Sequence, residues 1–455
     1  MPVLQHAKLK PMKPMRTIVL SFLLVISVGT LLLSLPISSK ARECTPFIES
    51  FFTATSATCV TGLVVYDTYT HWSIFGQVII LLLIQIGGLG LVTFTSFFNF
   101  IIGRKLGLRS IQLASENANS TGFTDVKALV SAIFKISVFF ETIGAILLMS
   151  VFVPKYGPRG IFISFFLSIS AFCNAGFDIL GNEGEYISLM NYADNPIVML
   201  TIMGLIICGG LGFVVWYDIM NYRKTKKLIL HSKVVIFTTA FLIVSGAALV
   251  LILEWSNPNT MVDDSVGKKI WEAFFQSVSF RTAGFNTIDI AGMHSSTKLV
   301  GIIYMFIGAA PGSTGGGIKV STITVIIMTV ISVIKNNPDT VIHGRRIDKD
   351  TVYKSLSILM LSMLVVIFTS CFVYYSNVGA GAQGIDSVFE SVSAFATVGL
   401  SAGTTALTNG ISRLILSFAM FIGRVGPVSL ALSIAIGLDA RNKNQVIPEG
   451  KVLVG

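Results

Sequence analysis

Charge is what this sequence has least of. Only 12% of its 455 residues are Asp, Glu, Lys or Arg, while 53% are hydrophobic. A soluble chain of that length would need more charged surface, so a soluble globular protein is excluded. Cysteine offers no framework either: Cys44, Cys59, Cys173, Cys208 and Cys371 are scattered, odd in number and form no C-x-x-C. That excludes a disulfide scaffold and a zinc site. The five histidines are isolated from one another and from acidic clusters, and no nucleophile–base pair is present. Enzyme chemistry, a structural metal and a cofactor held by this chain are therefore not expected.

What the sequence does have is apolar runs long enough to cross a hydrocarbon core of ~30 Å as helices. Eight can be marked, at 16–35, 76–102, 129–153, 197–218, 234–255, 297–334, 355–375 and 413–438. The first follows a basic leader (Lys8, Lys10, Lys13, Arg16), as a secretory signal would. Its apolar core from Ile18 to Leu35 is too long for one, however, and no A-x-A cleavage site follows. Basic clusters fall in the tails and the even-numbered connections: Arg104, Lys105 and Arg109, then "YRKTKK" with Lys233, then Lys335, "HGRR", Lys349 and Lys354. The opposite side collects Glu43, Asp67, Asp178, Glu183, Glu185, Asp194, Asp263 and Asp264. The positive-inside rule then places both termini in the cytoplasm of a plasma-membrane protein. It also accounts for the net charge of +10 without nucleic acid.

A repeat organises these spans. "ESFFTATSATCVTGL" (49–63), "SFFLSISAFCNAGF" (164–177), "EAFFQSVSFRTAGF" (272–285) and "DSVFESVSAFATVGL" (386–400) align on Gly62, Gly176, Gly284 and Gly399, spaced 114, 108 and 115 residues apart. Ser56, Ser170, Ser279 and Ser393 recur just upstream, with one residue fewer before the glycine in the third copy. Each unit reads as span, short helix, Gly-containing extended piece, span. The units are 16–102, 129–218, 234–334 and 355–438, flanked by tails 1–15 and 439–455. Two crossings per unit give all four one orientation, so they can surround an axis along the membrane normal. The spans after each short segment echo one another too: "IQIGGLG", "ICGGLG", "IGAAPG" and "IGRVGP".

Extended backbone at membrane depth exposes N–H and C=O groups and is tolerated only when buried or lining a wet path. Four such strands around one axis would present carbonyl oxygens that replace the hydration shell of K⁺. Glu49, Glu272 and Asp386 lie seven residues before the recurring serine. They read as first-turn residues at the positive end of each short helix. These segments, with "RTAGFN", the gapped sixth span, "FIGRVGP" and the tail "IPEGKVLVG", resemble the Trk/Ktr/HKT superfamily. The likeness is strongest to the bacterial Ktr membrane subunits of the KtrB/KtrD type. The resemblance implies an all-α integral membrane protein of four M1–P–M2 repeats in a pseudo-tetramer around one central pore, with eight full spans, four pore helices and a homodimeric assembly. It implies K⁺ uptake, with Na⁺ coupling left open, and a separate cytosolic ring of KtrA/KtrC type that binds ATP or ADP. It also implies filter residues Val60, Thr61 and Gly62; Asn174, Ala175 and Gly176; Thr282, Ala283 and Gly284; and Thr397, Val398 and Gly399, with K⁺ at their carbonyls. Gly62, where relatives that favour Na⁺ carry Ser, speaks for K⁺; the absence of T-V-G-Y-G speaks against channel-grade discrimination.

"GAAPGSTGGGIKVST" (308–322) looks at first like a phosphate cradle. A P-loop needs G-x-x-x-x-G-K-[ST] between a strand and a helix in water, whereas here Ile318 separates Gly317 from Lys319 and apolar helix flanks both sides. A nucleotide-dependent membrane enzyme is thereby disfavoured. The stretch reads as a break in the sixth span, an intramembrane gate at 308–319. Its residues are Gly308, Ala309, Ala310, Pro311, Gly312, Ser313, Thr314, Gly315, Gly316, Gly317 and Lys319. Arg424, mid-span with no acid on its own helix, falls at a similar depth and matches the family's pore arginine, so it joins the gate as a barrier to cations. Ser313 and Thr314 are expected to satisfy backbone groups or touch Arg424. Glu141, also mid-span, is expected to contact another unit, and Arg281 to point behind the filter towards an acid of a neighbouring unit. A sodium-conducting or weakly selective transporter is the rival reading.

Overall fold

The computed structural model describes residues 14–90, 126–377 and 384–435, which are mostly helical. The basic cluster at 104–109, the far end of the second expected span and both tails lie outside the described residues. The first unit contains α1 (Pro14–Leu33), α2 (Phe47–Thr58) and α3 (Ile74–Leu89). The second contains α4 (Val126–Tyr156), α5 (Pro158–Phe172), α6 (Pro196–Gly210) and α7 (Phe213–Thr225). The third contains α8 (Leu230–Glu254), α9 (Val266–Ser279), α10 (Ser295–Phe306) and α11 (Val320–Ile334). After a two-residue-per-strand hairpin (Val341–Ile342 with Arg345–Arg346), the fourth contains α12 (Lys349–Asn377), α13 (Gly384–Phe395), α14 (Gly410–Val425) and α15 (Pro427–Ala435).

Among the described residues, each unit has one unbroken helix long and apolar enough to cross a membrane: Arg16–Leu33, Val130–Tyr156, Leu230–Glu254 and Lys349–Ser376. Each leaves large apolar side chains uncovered, such as Leu24, Phe139, Phe237 and Phe368, as a surface solvated by lipid would. The short helices are the opposite case. Phe52, Phe166, Phe275 and Phe389, each four residues before the recurring serine, are completely buried. Each contributes roughly 1.5–3 kcal/mol of burial free energy. Four copies of one phenylalanine thus hold four short helices inside the bundle.

The second span of each unit starts from a side-chain cap where the sequence supplies one: Ser73, Asn195 and Asn409 accept first-turn amides of α3, α6 and α14. None of these spans continues as one straight helix through its echo motif. Gly90, Gly212 and Gly426 take φ of +81°, +88° and +93°, and the third unit opens into the 308–319 loop. The span expected at 197–218 is therefore two helices, α6 and α7, meeting at 92°.

Packing between units is cyclic. α3 lies against α5, α6 against α9, α10 against α13, and α14 against α2. Polar ties follow the same circuit: Arg159 stacks on Tyr69, Lys268 faces Asp194, Lys298 pairs with Asp386 at 2.8 Å and Arg413 with Glu49 at 2.7 Å. Glu49 and Asp386 do sit in first turns. Glu272 does not: Ser265 caps α9 two turns earlier, which leaves Glu272 mid-helix, buried, with Lys268 3.8 Å away. Both members of the Arg413–Glu49 pair are only 15% exposed, so losing one partner strands the other. Arg413→Ala should destabilise the detergent-solubilised protein by about 2 kcal/mol. The charge-swapped pair Glu49→Arg/Arg413→Glu should recover part of the loss in thermal midpoint.

Candidate functional site

Each short helix ends at the same construction. The carbonyls of Ser56, Ser170, Ser279 and Ser393 accept the amides of Thr61, Ala175, Ala283 and Val398 at 2.8, 2.8, 3.1 and 2.8 Å. The missing residue of the third copy shortens that hydrogen-bonded turn by one step, and there the Ser279 hydroxyl donates to Phe285 O. Ser56 and Ser393 also accept the amides of Gly62 and Gly399 through their hydroxyls, both at 3.1 Å. The bend this imposes puts Val60, Asn174, Thr282 and Thr397 at φ of +59°, +58°, +65° and +52°. Such left-handed conformations cost non-glycine residues about 1–2 kcal/mol each. Four equal outliers at equivalent positions mark a backbone shape that is required, not tolerated.

The four glycines then meet across the units. A Cβ on Gly62 would lie 2.3 Å from the Ala175 carbonyl oxygen, on Gly176 2.7 Å from that of Ala283, on Gly284 2.5 Å from that of Val398, and on Gly399 2.1 Å from that of Thr61. The order is first to second, second to third, third to fourth, fourth to first: a closed ring of carbonyls and glycines. Any side chain at a ring glycine would collide with backbone. The buried hydroxyls of Thr61 and Thr397 have no partner among the described residues.

Cavities of opposite character lie on the two sides of the ring. One, of about 390 Å³, is lined by Gly62, Gly176, Gly284 and Gly399 together with Asp67, Asp178 and Asp289, and by no basic residue among those described. The other, of about 250 Å³, is lined by Lys319, Lys354 and Arg424 and by no acid among those described. Between ring and basic cavity lies the 308–319 loop. A Cβ on Gly315 or Gly316 would come within 2.2 Å of the Thr282 or Thr397 hydroxyl, and Thr314 Oγ1 donates to Asn174 Oδ1 at 2.9 Å. The loop thus touches three of the four units just below their left-handed residues.

Arg424 closes the circuit on the remaining unit. Its guanidinium donates to the Thr314 carbonyl of the loop and to the Gly87 and Gly88 carbonyls at the end of α3. Ser313 satisfies a backbone group, donating to Ala310 O at 2.6 Å. Lys319 folds back onto the loop, with Nζ 2.6 Å from Gly315 O. Two cations therefore occupy carbonyl sites on the basic side. Glu141 reaches the first unit as expected, accepting from Gln85 Nε2 at 3.0 Å. Arg281 is buried beside Ile206, Ile207 and Ile243. Among the described residues no carboxylate pairs with it, contrary to the expected acid, because the neighbouring face of α6 is wholly aliphatic there. Cys59 and Cys173 are buried and free.

Beyond the break at 308–319, the turns at Gly90, Gly212 and Gly426 are what reading the sequence missed as structure. Their echo motifs were visible, but hydropathy runs unbroken through "ICGGLGFVVW" and gives no sign of the bend.

Residues 4–445 match TrkH, a family of cation transport proteins. The chain is 38% identical to the Ktr system potassium uptake protein B of Bacillus subtilis, covering 97% of each. It is 35% identical to the potassium/sodium uptake protein NtpJ of Enterococcus hirae over the whole of both. Among solved structures, the potassium transporter TrkH from Vibrio parahaemolyticus superposes with a TM-score of 0.70 at 17% identity, over 94% of this chain and 86% of that one.

Proposed function

Because the chain belongs to the TrkH family of cation transport proteins, we propose that it takes up potassium ions across a bacterial plasma membrane. It is a transporter and not an enzyme. The observation that carries the proposal is the closed ring in which each unit's glycine abuts the next unit's carbonyl. In this reading the four M1–P–M2 units form a pseudo-tetramer of eight crossings around one pore. Thr61, Ala175, Ala283 and Val398, with the residues beside them, supply oxygens that replace water around K⁺. The acidic cavity faces outward and concentrates cations ahead of the ring. The basic cavity faces the cytoplasm, together with both termini.

The loop at 308–319 is the gate. It lies across the inner end of the ring, held by its own backbone, by Lys319 and by Arg424. Ktr relatives are named as parts of systems, which supports a separate cytosolic partner. On the resemblance to the Ktr systems, we assign the partner the chemistry of a nucleotide-binding ring acting on a homodimer of this chain. Deleting residues between Gly312 and Gly317 should make rubidium uptake into proteoliposomes constitutive, up by about tenfold or more in the absence of any partner. A folded product with no more flux than the parent would remove the gate.

The name of the Enterococcus hirae relative, a potassium/sodium uptake protein, favours a second reading in which Na⁺ is also carried. Uptake of rubidium measured against competing K⁺ and Na⁺ separates the two.

A further inference from the structure

The bend in the second unit is built from the same backbone groups that hold the loop. In a continuous α-helix through this stretch, the Phe213 amide would bond to Gly209 O and the Val214 amide to Gly210 O. Instead Gly212 adopts φ +88° and ψ 145°, the chain turns through 92°, and those groups are left for others. Gly209 O accepts from Thr314 N at 3.3 Å, Gly210 O accepts from Ala310 N at 3.0 Å, and Phe213 N donates to Gly312 O at 2.9 Å. All three new partners belong to the 308–319 loop. A fourth orphan, Cys208 O, is taken by the indole N–H of Trp216 at 2.8 Å. The Trp216 ring is braced in turn by Phe140, 4.8 Å away.

The equivalent glycine pair in the first unit, Gly87 and Gly88, offers its carbonyls to Arg424. One motif, "IGG" or "CGG" before a left-handed glycine, thus provides two seats: one for the arginine and one for the loop. A bent second unit and a seated loop require each other. Straightening α6 into α7 would pair Gly209 O and Gly210 O internally and strip the loop of three hydrogen bonds at once.

Building on the gate reading above, we propose that the α6–α7 bend is the seat on which the intramembrane loop closes, with Gly212 and Trp216 as its positioning residues. Closure and a continuous second-unit helix are then mutually exclusive states of one element, and whatever straightens α7 opens the pore.

Gly212→Ala tests this directly. Alanine disfavours the left-handed bend and favours continuous helix, and its Cβ would come 2.8 Å from Pro311 O. Together these shift the balance towards the straight form by on the order of tenfold. Trp216→Phe is the milder partner: it keeps a ring against Phe140 and removes only the N–H on Cys208 O. Rubidium uptake by the full chain in proteoliposomes should rise about tenfold for Gly212→Ala and a few-fold for Trp216→Phe. Half-saturation by rubidium should stay at the parent value, since the carbonyl ring is untouched. In a chain already shortened between Gly312 and Gly317, Gly212→Ala should add nothing. Folded single variants with parental or lower flux, or an effect that persists in full in the shortened chain, would overturn the seat while leaving the gate standing. If the shortened chain itself conducts no more than the parent, the gate reading fails and the seat with it.

Discussion

Arg424→Ala is expected to raise rubidium flux through the purified chain by about tenfold when no cytosolic partner is present. Two effects act in the same direction. The guanidinium lies in the basic cavity beneath the ring with Lys319 and Lys354, and no acid among the described lining residues offsets them. A unit charge at ~4 Å from a passing cation costs about 4 kcal/mol at an effective dielectric of 20. A wet cavity reduces that to the ~1.4 kcal/mol that one decade requires. Arg424 also ties the loop to the first unit by bonding Thr314 O on one side and Gly87 and Gly88 on the other. Alanine removes both barrier and tie. Arg424→Lys keeps the charge but cannot span the three carbonyls in a fork, so its flux should fall between parent and alanine. Flux unchanged or reduced in Arg424→Ala would show that the arginine is a structural brace and no barrier.

Gly284→Ser should act on selectivity. Gly284 has φ +81°, and a Cβ there would stand 2.5 Å from Val398 O and 2.9 Å from the Gly176 Cα. No flexible side-chain end is available to yield, so the ring itself must shift. Because the ring closes from the fourth unit back to the first, displacement at one glycine alters the spacing of all the carbonyls. The apparent affinity for K⁺ should fall by about tenfold or more, with Na⁺ becoming a stronger competitor. Gly204→Ser, at a position with nothing within 4 Å, should leave both properties at the parent values. If Gly284→Ser retains K⁺ affinity and the original Na⁺ competition, the carbonyls named here are not the ion's ligands.

How much of this could be read from the chain depended on repetition. Gly62, Gly176, Gly284 and Gly399 were legible because four copies of an unusual pattern in phase leave little room for accident. Ser56, Ser170, Ser279 and Ser393 were legible as a pattern but not as a cause; the cause is a backbone bond from the serine carbonyl into the extended piece. Glu272 misled because it aligns with Glu49 and Asp386, while the cap at Ser265 starts α9 four residues further ahead of the recurring serine than α2 begins. The 92° bend was hidden because apolar residues continue on both sides of Gly212, and hydropathy reports what a residue is solvated by, not the direction of the chain. Arg281 invited an acidic partner on charge grounds alone. The loop's contacts with Asn174, Thr282 and Thr397 could not be read at all: they join residues far apart in sequence through a ring that exists only once the four units have closed.

The central claim is that a ring of backbone carbonyls in this chain passes K⁺ in preference to Na⁺. Rubidium uptake into proteoliposomes holding the purified chain with its loop shortened between Gly312 and Gly317, titrated with external K⁺ and then with external Na⁺, tests it most directly. The account predicts protein-dependent uptake that K⁺ suppresses at concentrations about tenfold or more below those needed for Na⁺. Uptake equally sensitive to the two ions, or no uptake above protein-free vesicles, would contradict it.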